Sequence, residues 1–244
     1  MTSMRTLIIS DIHSNIVALD AVFEAAEEDD PIDNVLCLGD IVGYGPSPMA
    51  CLERLWERGT VSVLGNHDAG AVGVIGLEHF NPIAAFANEW TGEQLTAEAR
   101  EWLTNLPHTL VDESFLLVHG SPKDPIWDYL LSYSQAIEAW ERTEASDILV
   151  GHSHMQFACE AGGGVEQPGP DGLNVPLGHA RLVVNPGSVG QPRDRDPRAA
   201  YAVYDDEAKS IALRRAWYDV SATQRAMAEV GLPEALITRL SVGR

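Results

Sequence analysis

Five short apolar runs in this 244-residue chain each stop at a cluster drawn from Asp, Asn, His and Gly. The run at 6–10 leads into Asp11-Ile12-His13, the run at 35–38 into Gly39-Asp40, and the run at 61–64 into Gly65-Asn66-His67-Asp68. The run at 115–118 ends on His119-Gly120, and the run at 148–150 on Gly151-His152-Ser153-His154. Two carboxylates (Asp11, Asp40), one amide (Asn66) and four imidazoles (His13, His119, His152, His154) form a mixed oxygen and nitrogen donor set without a thiolate. Such a set suits two divalent transition-metal ions (Mn, Zn, Fe, Co or Ni) better than Mg or Ca, which prefer oxygen shells. A carboxylate such as Asp40 can bridge two ions, and a pair about 3.5–4 Å apart can clamp the attacking and leaving oxygens of a phosphoryl transfer. Within the last cluster, an extended strand would turn His152 and His154 to the same side. The three histidines outside these clusters, His79, His108 and His179, read as ordinary surface or core residues.

The elements that must position these side chains alternate between strand and helix in the first half of the chain. Residues 6–10, 35–38 and 61–64 read as buried strands. Residues 16–28, with Asn15 as N-cap, and 47–58 carry helical spacing. Residues 82–105 read as a helix in two pieces parted near Thr91-Gly92, and 115–118, 148–150 and 181–184 as further short strands. Residues 201–204 and 210–217 flank Asp205-Asp206-Glu207 and predict a hairpin. Ser221-x-x-Gln224 is a capping-box pattern opening a helix that stops at Gly231, and Pro233 opens another. The Gly- and Pro-rich stretch 161–178 reads as a long exposed loop. Alternation followed by antiparallel strands predicts an α/β fold with one mixed sheet or two stacked ones, helices outside, in a single domain over 1–244. In such sheets the carboxyl ends of the strands face one crevice, so the five clusters should converge there.

A net charge of −20 opposes binding to long nucleic acid or an anionic membrane, both polyanions. It leaves room for a small phosphate ester held by metal. No apolar stretch approaches the ~18 residues of a membrane span. The opening MTSMRTLIIS is too short an apolar run for a signal peptide. Three cysteines without paired spacing imply no disulfide framework. Together these features read as a cytoplasmic protein of open oligomeric state, whose last residues, 219–244, either cover the sheet or pair with another chain.

The clusters resemble, in order, the D-x-H, G-D, G-N-H-D/E, H and G-H-x-H blocks of the calcineurin-like metallophosphoesterase superfamily. The likeness runs from residue 5 to about 193. It implies a four-layer α/β/β/α sandwich: two mixed β-sheets flanked by helices, with a dinuclear metal site at one edge. By position it assigns Asp11, His13 and His154 to one metal and Asn66, His119 and His152 to the other, with Asp40 bridging. It makes His67 a proton donor to the leaving oxygen or a stabiliser of phosphoryl charge, and a metal-bound hydroxide the nucleophile. Asn66 and His67 would also meet substrate.

The second block separates branches. Protein serine/threonine phosphatases carry G-D-x-x-D-R-G there, whereas this chain reads Gly39-Asp40-Ile41-Val42-Gly43-Tyr44-Gly45. Gly43 stands where the partner of the catalytic histidine is expected, and Tyr44 where a phosphate-gripping arginine is. This argues against a protein phosphatase and against dinucleoside-polyphosphate hydrolases, which share that block. Residues 185–193, Asn-Pro-Gly-Ser-Val-Gly-Gln-Pro-Arg, resemble the small bacterial and archaeal phosphodiesterase branch. Arg193 is then either a bidentate phosphate contact or a surface arginine after a tight turn. Trp127 and Tyr129, downstream of His119, either stack on a substrate ring or anchor their loop. The resemblance implies a phosphodiesterase acting on a small phosphorylated molecule. Alternatives are a phosphomonoesterase or nucleotide phosphatase on the same site, and a non-catalytic scaffold, against which His67 and the full ligand set argue.

Overall fold

The computed structural model describes residues 4–28, 30–112 and 115–244. The first three residues of the opening stretch MTSMRTLIIS lie outside them. The described residues form two six-stranded mixed sheets flanked by helices. The elements are β1 (Arg5–Ile9), α1 (Ile16–Ala26), β2 (Asn34–Cys37), α2 (Pro48–Glu57), β3 (Val61–Ser62), α3 (Asn66–Ala71), α4 (Pro82–Gln94), α5 (Ala97–Thr104), β4 (Thr109–Asp112), β5 (Phe115–Val118), α6 (Tyr133–Glu141), β6 (Asp147–Leu149), β7 (Phe157–Glu160), β8 (Gly164–Glu166), β9 (Leu173–Pro176), β10 (Leu182–Asn185), β11 (Ala199–Asp205), β12 (Ser210–Ala216), α7 (Val220–Glu229) and α8 (Glu234–Arg239). One sheet runs β3-β2-β1-β11-β12-β9 and the other β4-β5-β6-β10-β7-β8. In the first, β1, β2 and β3 are parallel; in the second, β5, β6 and β10 are.

The layering follows from side-chain alternation along doubly buried strands. Leu7 and Ile9 of β1 face the cluster under α1 and α2, while Ile8 faces the space between the sheets. On the other sheet Phe115 and Leu117 of β5 point into that same space, and Leu116 and Val118 point out to α6. Both faces of β1 and β5 are covered, so residues 7–9 and 115–118 are apolar without interruption rather than at every second position.

Several sequence-level boundaries shift. The long helix breaks at Leu95-Thr96, where Thr96 caps α5 through Ala99 N, rather than at Thr91-Gly92, which lie buried within α4. The stretch 161–178 holds β8 and β9, and β9 crosses to the first sheet, where it pairs with β12. Its Gly and Pro residues make turns around strands too short to show a period. Asp219, not Ser221, caps α7 by accepting from Ala222 N. Strands β4 and β7 and helix α6 are not among the predicted elements, although Ser132-x-x-Gln135 opens α6, with Ser132 accepting from Gln135 N. The predicted hairpin is β11–β12, paired from Ala199↔Ala216 to Asp205↔Ser210. Helices α7 and α8 pack on their own chain, with Met227, Leu236 and Leu240 against Tyr44 and α4.

Leu213, fully buried between the sheets, has no space to relax into when truncated. Leu213→Ala is expected to lower the unfolding free energy by about 2–5 kcal/mol in urea denaturation. Val111→Ala, 64% exposed on β4, should change it by less than about 0.5 kcal/mol.

Candidate metal centre and active site

Parallel strands β1, β2 and β3 deliver the first three clusters to one edge of their sheet, and β5 and β6 deliver the other two from the facing sheet. The backbone turns sharply there. Asp11, His13, Asp40, His152 and His154 all have positive φ, between 47° and 62°, a left-handed conformation that costs non-glycine residues free energy. His152 and His154 lie beyond β6 in these bent positions, so the extended-strand geometry expected for them does not occur. They are nonetheless aimed into the same site.

The donor atoms fall into two groups. Ligand atoms of Asp11, His13, Asp40 and His154 lie within 4.8 Å of one another, as do those of Asp40, His119 and His152. Asp40 belongs to both. In the first, His154 Nε2 is 3.3 Å from Asp11 Oδ1, and His13 Nε2 is 3.6 Å from Asp40 Oδ2 and 3.1 Å from His154 Nε2. In the second, His119 Nε2 is 3.4 Å from Asp40 Oδ2, 3.1 Å from Asn66 Oδ1 and 3.1 Å from His152 Nδ1.

Five of the seven donor residues are oriented from behind. Nδ1 of His13, His119 and His154 sits 3.2, 2.8 and 2.5 Å from the carbonyl oxygens of Val42, Leu38 and Gln191. A ring N–H donated to a carbonyl fixes the tautomer and leaves the Nε2 lone pair facing the cluster. Each carboxylate uses one oxygen as a brace: Asp11 Oδ2 accepts from His152 N at 3.1 Å, and Asp40 Oδ1 from His67 N at 2.8 Å. The other oxygens, Asp11 Oδ1 and Asp40 Oδ2, are buried without a hydrogen-bond partner among the described residues. Buried, unpaired carboxylate oxygens are costly unless a cation neutralises them. These residues therefore fit two divalent ions.

Electrostatics agree with that fit. Burial pushes the Asp11 carboxyl up to about 7, with neighbouring Asp40 raising it further against the pull of His119. Burial also opposes charge on His119, yet the negative charge of Asp40, and then that of Asp11, holds that ring up at about 9. Burial drives His13 and His154 well below the ordinary histidine value and His152 down to about 3. The site thus keeps three imidazoles neutral, as metal ligation requires.

Residues 185–193 act as a clamp. Asn185 Nδ2 donates to Gly151 O at 2.7 Å and Ser153 Oγ at 3.0 Å, and Ser188 Oγ donates to Asp11 O at 2.7 Å. The segment thereby ties the loops of two sheets together. Its last residue, Arg193, lines a cavity of about 180 Å³ above the donor groups, with Asn66, His67, Tyr44, Phe80, Trp127 and Tyr129. Lys123 is exposed and paired to Glu138, away from that lining. In the same loop Ile126 is the buried anchor, which leaves Trp127 and Tyr129 partly exposed on the wall. Tyr129 stacks on His152 with ring centroids 4.0 Å apart. Asn15 caps α1 and donates to Gly190 O, so its side chain is spent inside the fold.

Sequence reasoning missed four contributors. His79 and Phe80 line the cavity from the segment before α4. Asp68 ties Val42 N (3.0 Å) to Gly65 N (3.1 Å), joining the second and third clusters. Asn88 of α4 places Oδ1 2.8 Å from His67 Nδ1. Asn88 and Phe80 lie in stretches with no motif, and only the fold brings them near His67.

The profile of the calcineurin-like phosphoesterase superfamily domain matches residues 4–209. The chain belongs to that superfamily. It is 40% identical, over the whole length of both chains, to a metallophosphoesterase from Sphaerobacter thermophilus whose crystal structure superposes with a TM-score of 0.91. It is 36% identical over its full length and that of its relative to an uncharacterized protein of Methanocaldococcus jannaschii. A symmetrical bis(5'-nucleosyl)-tetraphosphatase of Glaesserella parasuis is 30% identical over 165 residues, 64% of this chain and 57% of that protein. The departure at Gly43-Tyr44 therefore does not remove dinucleoside-polyphosphate hydrolases from its relatives. The fold is the expected α/β/β/α sandwich, and the chain is a phosphoric ester hydrolase of a dinuclear-metal-dependent family, with His and Asp groups able to hold the metals. Among the described residues no helix is long and apolar enough to cross a membrane.

In metal-stripped protein the folded state keeps the His119 proton up to about pH 9, against 6.5 for an ordinary histidine. That contribution to stability is complete below about 6.5 and is lost as pH rises through about 9. Metal needs the ring unprotonated, so binding releases this proton. The rise in melting temperature on adding Mn should grow between pH 7 and 9. Calorimetry in buffers of different ionisation enthalpy should register proton release.

Proposed function

We propose that this chain, as one domain over 1–244, is a phosphodiesterase for a small phosphorylated molecule, working with two divalent transition-metal ions. The observation that carries this reading is the pair of donor groups sharing Asp40 at the floor of a narrow cavity. Asp11, His13 and His154 would hold one ion, Asn66, His119 and His152 the other, and Asp40 both. Bound there, the ions supply Lewis-acid charge and a water acidic enough to act as nucleophile near neutral pH. The chain's own residues do the rest. Arg193 grips a non-bridging phosphate oxygen. His67 passes a proton from its ring to the leaving oxygen as the P–O bond breaks.

Charge and size support a small diester. Arg193 is the only arginine or lysine lining the cavity among the described residues, which suits a singly charged diester better than a dianionic monoester. A volume of about 180 Å³ has no room for a duplex or a folded protein. The tetraphosphatase relatives and the aromatic wall of Phe80, Trp127 and Tyr129 favour a second reading, a nucleotide phosphoanhydride, since bases stack on such rings. The three buried free thiols, Cys37, Cys51 and Cys159, support a cytoplasmic setting.

Chelator-stripped protein should hydrolyse neither bis-p-nitrophenyl nor p-nitrophenyl phosphate. Reloading with Mn, Zn, Co or Ni in parallel should restore turnover and Mg should restore less, with the diester preferred; a monoester preference would reverse the reading. His67→Ala should lose roughly 10²–10⁴-fold in kcat on alkyl diesters, whose leaving oxygen needs a proton, and less on p-nitrophenyl esters, with both metals still bound. Arg193→Ala should mainly raise KM.

A further inference from the structure

We propose that Asn88 is the positioning residue for His67. Its Oδ1 would hold the Nδ1–H and so leave Nε2 as the nitrogen that gives the proton to the leaving oxygen. This rests on the reading of His67 as proton donor.

Four observations converge on the pair. Asn88 is fully buried in α4, and its Oδ1 lies 2.8 Å from His67 Nδ1. Among the described residues this is the only hydrogen bond to the His67 ring, and Asn88 Nδ2 has none. A buried amide satisfied at one end costs stability that an apolar residue would not. Its presence therefore points to the task done by the satisfied end.

The second block makes room for it. Gly43 has φ +87°, and a Cβ there would lie 2.7 Å from His67 Nδ1 and 3.0 Å from Asn88 Oδ1. A side chain at 43 would occupy the place Asn88 takes. The partner missing from the second block is thus supplied from a helix more than forty residues downstream.

Packing restricts the ring, and the hydrogen bond chooses between its two faces. Tyr44 and Phe80 sit against His67 with centroids 4.2 and 5.2 Å away. A flip about the Cβ–Cγ bond would exchange Nδ1 for a carbon at Asn88. The amide oxygen selects the orientation in which Nδ1 meets it and Nε2 is free. It does so without charge. Asp11, Asp40 and Asp68 are already buried around this site, and a further carboxylate would add to their mutual repulsion. The Nδ1–H stays on the ring in both protonation states, so the amide oxygen keeps its donor through the transfer.

The test is a leaving-group series of aryl and alkyl phosphodiesters on manganese-loaded enzyme, with metal content measured for every variant. Asn88→Ala should lose 10- to 100-fold in kcat on poor leaving groups and far less on p-nitrophenolate, with KM nearly unchanged. Its rate should fall with leaving-group pKa as steeply as that of His67→Ala. Asn88→Asp should restore the shallow dependence at a lower melting temperature than wild type, because its carboxylate accepts from Nδ1–H but adds to the buried negative charge. The double variant should be no slower than His67→Ala alone, because the amide acts only through the ring. Equal losses on all leaving groups, or losses that add to those of His67→Ala, would overturn the proposal. If His67→Ala itself kept the wild-type dependence, the proton-donor reading would fail instead. Should Asn88→Ala not fold, ¹⁵N spectra of histidine-labelled wild type decide the matter. A protonated Nδ1 on His67 supports the pair, and a proton confined to Nε2 overturns it.

Discussion

Two buried carboxylates, each with one oxygen that no hydrogen bond satisfies among the described residues, set the terms for this molecule. Asp11 and Asp40 stand among four imidazoles at the meeting point of the sheets, almost wholly removed from water. Each offers one oxygen to a backbone N–H and aims the other, unpartnered, into the donor group. Taken alone, such an arrangement is destabilising, since desolvation of a carboxylate outweighs what two backbone contacts return. Two divalent ions would reverse that sign. Metal binding there would be coupled to folding of this edge, and the shared Asp40 would couple the two ions to each other.

Holding donors this close demands bent backbone, and the rest of the sandwich supplies the restraint. Five of the ligand residues take left-handed φ values. A loop would relax out of such conformations unless tied at several points. Asp68 ties the second cluster to the third, Asn185 grips the loop of His152 and His154, and Ser188 grips that of Asp11. The Asn-Pro-Gly-Ser segment is thus a clamp across the interface between the sheets that ends by presenting Arg193 to the cavity. Helices α7 and α8 close the outside of the same region by packing against Tyr44.

The chemistry then follows from asymmetry around the cavity. Its floor is polar and metal-ligating, one side carries the Arg193 guanidinium, and another carries Phe80, Trp127 and Tyr129. The chain's net charge is −20, so Arg193 stands as a local positive charge in an acidic molecule rather than as part of a basic track.

The donor set, the order of its blocks and the class of fold were legible in the sequence, because each ligand directly follows an apolar run and strand ends in an α/β sheet face one crevice. Departures at Gly43 and Tyr44 were legible too, though not what replaces the missing partner. The sequence alone could not show that His152 and His154 are aimed by left-handed turns instead of strand alternation, since φ at a single histidine leaves no compositional trace. Nor could it show the short strands β8 and β9, whose Gly and Pro flanks hide a pairing that crosses between sheets. Asn88 and Phe80 reach His67 only because α4 and the segment before it pack beside the site. Local residue types and their spacing thus determined which atoms can bind metal. Long-range packing decided which neutral groups orient them, because those contacts join segments that share no sequence period.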